Sequence, residues 1–163
     1  MNAMVTEGVS PNNPTHHYLT SCMIMTASDL SDQTKDWVNA KKIAELVYNE
    51  FFTQGDLEKA MGNKPVESMD REKAFIPSLQ IQFLDFIVIP VYRLEKGIVT
   101  IDIDSLYLRT LSDMDESYEC LYQTVMKNRG CWEIMGNILE QRGINKDVDV
   151  MNIFQVNIPH FQV

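Results

Sequence analysis

The chain has 163 residues, of which 45% are hydrophobic and 23% charged, a balance that fits one globular domain and excludes collagen-like, disulfide-scaffold and disordered chains. Lys and Arg number 14 against 23 Asp and Glu, a formal net charge of −9, which repels phosphate backbones and anionic lipid and argues against nucleic acid or a membrane surface as main partner. Such a chain can still hold an anionic nucleotide through metal ions. A domain of this size buries roughly two-thirds of the surface its unfolded chain exposes, so no covalent staple is needed. Cys22, Cys120 and Cys131 are odd in number and widely spaced, which fits reduced thiols in a cytoplasmic protein better than a disulfide framework or zinc ribbon. No basic, apolar leader or membrane-length apolar run is present, and Phe83 to Val91 is interrupted by Asp85 and Pro90.

In chain order, Thr15 to Met25 turns apolar at Cys22-Met23-Ile24-Met25 and gives way to a polar run, which predicts a helix ending near Asp29. Trp37, Ala40, Ile43, Ala44, Val47 and Phe51 recur at steps of three and four, one stripe of a helix with Asp36 as N-cap and Gly55 as stop. Asp56 to Met61 reads as a short helical turn closed by Gly62, followed by an irregular link through Lys64-Pro65 to Asp70-Arg71-Glu72-Lys73. Pro77 suits the first turn of another helix, where its missing donor costs nothing, and that helix runs through Leu79, Phe83, Phe86 and Ile87. Ile98 to Asp104 alternates strictly at its end and reads as an isolated strand. Leu111 to Met126 steps again by three and four, with Ser112 as cap and Asn128-Arg129-Gly130 as exit. Trp132 to Gln141 repeats the pattern and stops at Gly143, and the tail from Asp147 to Val163 is expected to be loose. The whole predicts an all-α domain.

The residues alone offer little chemistry. His16 and His17 are adjacent, so on a helix they point about 100° apart and do not readily share an ion. Asp102 and Asp104 resemble the start of a calcium loop, but Leu106 and Tyr107 stand where a third ligand and the turn glycine belong. Asp29 by default is a cap or turn former, and Gln80 a structural hydrogen bonder. No nucleophile elbow, phosphate-binding glycine loop or paired catalytic carboxylates occur.

Longer words carry more. Ser10-Pro11-Asn12-Asn13, His16-His17, Met25-Thr26-Ala27-Ser28-Asp29-Leu30-Ser31-Asp32-Gln33, Gln54-Gly55-Asp56-Leu57, Met69-Asp70-Arg71-Glu72-Lys73 and Ile76-Pro77 together resemble the C-terminal catalytic half of the class I cyclic-nucleotide phosphodiesterases. Asp56 to Asn63 is similar to their cGMP-stimulated, GAF-regulated, dual-specificity subtype. The resemblance covers Met4 to Leu94 strongly and Leu111 to Gly143 weakly, which implies a partial catalytic domain over 4–145, an atypical insertion at 95–110, and a divergent tail at 146–163. The insertion breaks both the helical pattern and the match, as a retained intron or an incorrect gene model would.

The resemblance implies hydrolysis of cAMP and cGMP by zinc beside magnesium or manganese, two cations that polarise the phosphodiester and activate a bridging water. Asp29 would reach the metals. Gln80 would read the purine edge with an amide that both donates and accepts, Phe83 would stack on the base, and Leu30, Gln33, Val47 and Phe51 would wall the pocket. Further ligands, two histidines and an aspartate, and a histidine general acid belong to the family's preceding half, so this chain by itself is expected to be inactive. The competing expectation is a non-catalytic truncated isoform that forms homo-oligomers or associates with full-length subunits through exposed helical faces.

Overall fold

A computed structural model describes residues 12–93, 106–142 and 150–156. All regular structure among them is helical, as expected from the sequence, with no strand. The alternating segment 98–104, the Asp102/Asp104 pair and Gly143 lie outside the described residues. No helix among the described residues is long and apolar enough to cross a membrane. The chain divides into two compact units, one of residues 1–35 and 84–126, the other of 36–83 and 127–163.

In the first unit, helix α1 (Pro14–Asp29) opens with Asn13 accepting from the Thr15 amide at 3.0 Å and Pro14 in the first turn. It ends where the sequence predicts, and a 3₁₀ turn, Ser31–Thr34, follows. Met23 and Ala27, one turn apart, are its buried residues. The unit continues with a π-helical turn, Leu84–Val88, and helical residues 89–93. Pro90 accounts for the wide turn: it cannot donate to the carbonyl four residues back and its ring crowds that position. The π turn also corrects the expected stripe. Phe86 is 78% exposed and Ile87 48%, whereas Leu84, Val88 and Tyr92 are buried. A step of four residues drifts about 40° around an α-helix, and one wide turn offsets that drift, keeping 84, 88 and 92 inward while 86 and 87 face out.

In the second unit, α2 (Trp37–Ala60) begins at Asp36, whose carboxylate accepts from the Asn39 amide at 3.1 Å and from its side chain at 2.7 Å. Those bonds hold the Asp36 carboxyl below its ordinary pKa. The buried row is Ala40, Ala44, Tyr48, Phe52 and Gly55, shifted from the expected one at its C-terminal end, because Tyr48 and Phe52 turn inward and Val47 stays at the surface. Gly55 does not stop the helix. It lies inside α2 because a Cβ there would collide with the Met69 carbonyl; the stop is Gly62, at φ 81°, a left-handed conformation that costs glycine nothing.

The link after α2 is fastened by charge. Lys59 Nζ meets Asp70 at 2.7 Å and Glu72 at 3.1 Å, while Arg71 pairs with Asp56 at 2.8 Å and lies 5.3 Å over the Phe52 ring. Helix α3 (Ile76–Phe83) then starts with buried Ile76 and Pro77.

Helix α4 (Leu106–Gln141) is one helix of 36 residues, about 54 Å long, where the sequence suggested two. Residues 106–110 of the predicted insertion are its first turn and Ser112 lies inside it. Asn128-Arg129-Gly130 is not an exit. Buried Val125, Asn128, Trp132, Met135 and Leu139 step through it by three and four, and Arg129 pairs with Glu133 at 3.2 Å across one turn, so the glycine's cost of about 1 kcal/mol is outweighed by the spine. The tail is also not loose throughout. Val150–Gln155 forms a 3₁₀ helix whose Ile153 and Phe154 are buried. Phe154 meets Trp132 at 6.2 Å, and Trp132 meets Trp37 edge-on at 4.9 Å.

Candidate functional site

The predicted site residues fall in both units. In the first, Asp29 ends α1 and is exposed. A carboxylate at a helix C-terminus faces the negative end of the helix dipole, a position that favours cations, and no basic residue stands in that turn. The C-terminus is held from behind: the Tyr92 hydroxyl donates to the Ala27 carbonyl at 2.9 Å in a buried bond, satisfying one of the four carbonyls a helix end leaves open. Leu30 is half-buried at the cap. Gln33 is buried, and its amide donates to Asp32 Oδ2 at 2.9 Å.

Asp29 supplies a single carboxylate. No group of three or more His, Cys, Asp or Glu that could hold a metal ion occurs among the described residues, and a zinc site takes three protein ligands. These residues do not by themselves fit a metal centre. His16 and His17 sit in the first turn of α1, half-buried and exposed, at the end opposite Asp29.

In the second unit, Pro77 is seated against α4, where a Cβ on Gly136 would stand 3.4 Å from the proline ring. One turn later Gln80 is only 6% exposed. Its side chain hydrogen-bonds to the Tyr48 hydroxyl, whose pKa burial pushes up to about 12 while the bond from Gln80 acts in the opposite direction. Gln80 Oε1 is buried and has no hydrogen-bond partner. A buried amide oxygen without a donor costs about 1–3 kcal/mol, so the fold holds an acceptor it does not use. Tyr48 packs edge-on against Phe51 at 5.9 Å and is tilted against Phe52 at 5.9 Å. Phe83 is three residues beyond Gln80, on a neighbouring position of the same helix face, and half-buried.

Gln80, Tyr48 and Phe51 thus form one linked group. Val47 stands apart, exposed on α2. A shallow groove of about 480 Å³ is lined by Asn49, Glu50, Phe51, Thr53, Gln54, Leu57 and Met69; of the predicted wall residues it takes Phe51. Two residues that the sequence reading passed over are Tyr48 and Tyr92. Their signal was a polar-tipped aromatic on a buried i, i+4 row, Tyr48 between Ala44 and Phe52 and Tyr92 after Leu84 and Val88.

The sequence profile of the 3'5'-cyclic nucleotide phosphodiesterase family matches residues 1–107. The chain belongs to that family. Among phosphodiesterases, the Drosophila melanogaster protein named dual 3',5'-cyclic-AMP and -GMP phosphodiesterase 11 is 36% identical over 126 residues, 76% of this chain and 8% of its own length. Proteins named cGMP-specific 3',5'-cyclic phosphodiesterase from Drosophila pseudoobscura pseudoobscura and Drosophila melanogaster are each 38% identical over 120 residues, 72% of this chain and 9% of theirs. The chain therefore spans 8–9% of the length of these relatives.

Proposed function

We propose that this chain carries the purine-recognition part of a cyclic-nucleotide phosphodiesterase that acts on both cAMP and cGMP in the cytoplasm. The observation that carries the reading is the buried, unpartnered Oε1 of Gln80. A buried acceptor that no protein donor meets suits a ligand donor: the exocyclic amine of adenine or the ring N–H of guanine would complete it, and an amide able to donate and accept serves both. Phe83 is the proposed aromatic face for the base, and Leu30, Gln33, Val47 and Phe51 the proposed wall. Asp29 is the proposed carboxylate toward the divalent ions of the complete family domain, zinc with magnesium or manganese; such ions supply charge for the phosphodiester and an activated water. The finer assignment to the cGMP-stimulated, GAF-regulated subtype rests on Asp56 to Asn63.

The test combines this chain with the family's upstream catalytic half and measures cAMP and cGMP hydrolysis beside Asp29→Ala and Gln80→Ala. The reading expects turnover of both nucleotides, abolished by the first substitution and lowered through KM by the second. Turnover indifferent to both substitutions refutes it.

A second reading, a non-catalytic form that works by association, has its own support. Phe86, Tyr18, Met25, Leu46 and Met61 are all more than 60% exposed, and they are the apolar side chains through which self-association or capture by full-length subunits would run. Co-purification with full-length enzyme, without any turnover in the reconstituted pair, selects this reading.

A further inference from the structure

Residues 150–156 lie beyond the family-matched part of the chain, and the nucleotide-recognition reading does not use them. Ring packing, side-chain burial and a hydrogen bond are among the contacts that hold them in the second unit. Phe154 stands nearly perpendicular to Trp132, with ring centroids 6.2 Å apart, and Trp132 in turn stacks edge-on with Trp37. Ile153 is buried beside Phe154. The Val156 carbonyl accepts from Lys41 Nζ at 3.3 Å, just one turn beyond Trp37 on α2. Trp132 retains 1% of its surface and Phe154 5%.

The segment is short, its own order is limited to 3₁₀ bonding such as Val156 N–H to the Ile153 carbonyl at 3.0 Å, and 3₁₀ helices rarely persist by themselves. Two buried side chains and one charge-assisted bond stand against the entropy of ordering seven residues, and by themselves they do not exceed it. The segment is therefore held through a few side chains, on a seat lined by α2 and α4.

We propose that residues 150–156 are a detachable strap and that the Trp37–Trp132 cleft is a receptor for a short aliphatic–aromatic peptide, with Ile153-Phe154 as its resident occupant. The strap ties the second turn of α2, at Lys41, to the second half of α4, at Trp132. When it leaves, the indole of Trp132 becomes accessible and the start of α2 loses its cross-tie, on the same helix that carries Tyr48 and Phe51.

The chain's two tryptophans are both in the cleft, so intrinsic fluorescence reads it without a label. In the 163-residue chain carrying Phe154→Ala, tryptophan emission shifts to the red and acrylamide quenching rises about two-fold, while the far-ultraviolet helical signal is kept, as for a local opening. Adding excess free peptide of residues 150–156 to that variant reverses both changes. Lys41→Met, which removes only the tie to Val156, gives a smaller rise in the same direction. Quenching unchanged in Phe154→Ala overturns the proposal, because the segment then does not cover the tryptophans. Loss of the helical signal also overturns it, since the segment would be integral to the core, and failure of the peptide to reverse the change removes the receptor.

Discussion

Gln80 is where stability and recognition make opposite demands, and this can be measured. Replacing Gln80 by Met removes a buried acceptor that has no partner, a gain of about 1–3 kcal/mol. The same change takes the amide away from the buried Tyr48 hydroxyl, a loss of about 1–3 kcal/mol once that hydroxyl is left unmet. The single variant should therefore lie within about 1 kcal/mol of the parent. Tyr48→Phe combined with Gln80→Met removes both polar groups and leaves side chains of similar volume, so the double variant should exceed the parent by about 1–2 kcal/mol. For a chain of this length that is a rise of about 2–8 °C in Tm. Urea and thermal unfolding of the four members of the cycle give the coupling directly. In the complete catalytic domain, cGMP should raise the Tm of the parent and not that of the double variant, because only a ligand bound to the folded state stabilises it. A double variant no more stable than the parent would refute the reasoning, since Oε1 would then be satisfied and Gln80 an ordinary structural amide.

Three further outcomes follow from the packing. Tyr92→Phe leaves the buried Ala27 carbonyl without its donor and should cost about 1–3 kcal/mol in urea unfolding; an unchanged midpoint would show that the end of α1 is held by other means. Gly55→Ala drives a Cβ into the Met69 carbonyl and should destabilise by about 1–3 kcal/mol, whereas Gly130→Ala, with open space around it, should stabilise by roughly 1 kcal/mol; equal effects of the two would contradict the close approach at Gly55. The Asp70 carboxyl is held below its ordinary range, chiefly by the bond from Lys59, so its contribution is present above the unfolded carboxylate pKa and lost as pH falls below about 4. Lys59→Met should raise the Asp70 pKa and move the acid transition, followed by circular dichroism, to higher pH; an unmoved transition would mean that Lys73, at 3.7 Å, suffices.

The sequence by itself determined the local signals. Asp36 as N-cap, Asp29 at a helix end, Pro77 in a first turn and Gly62 as a stop all act through backbone geometry and bonds within a few residues, so they are legible without a fold. The long words around Asp29 and Asp70 likewise determined the family. Tertiary structure decided which faces are buried and where breakers fail to break. Gly55 stays in α2 because Met69, 14 residues away in sequence, needs the space. Gly130 stays in α4 because the spine from Val125 to Leu139 packs across it. Phe86 faces out because a π turn ahead of Pro90 resets the helical phase, which a fixed period cannot anticipate. The unmet oxygen of Gln80 and the Tyr48 hydroxyl beside it belong to different helices, and the Ile153-Phe154 strap reaches Trp132 across the fold. A periodic pattern shows which residues share a face; only packing against other helices shows what that face meets.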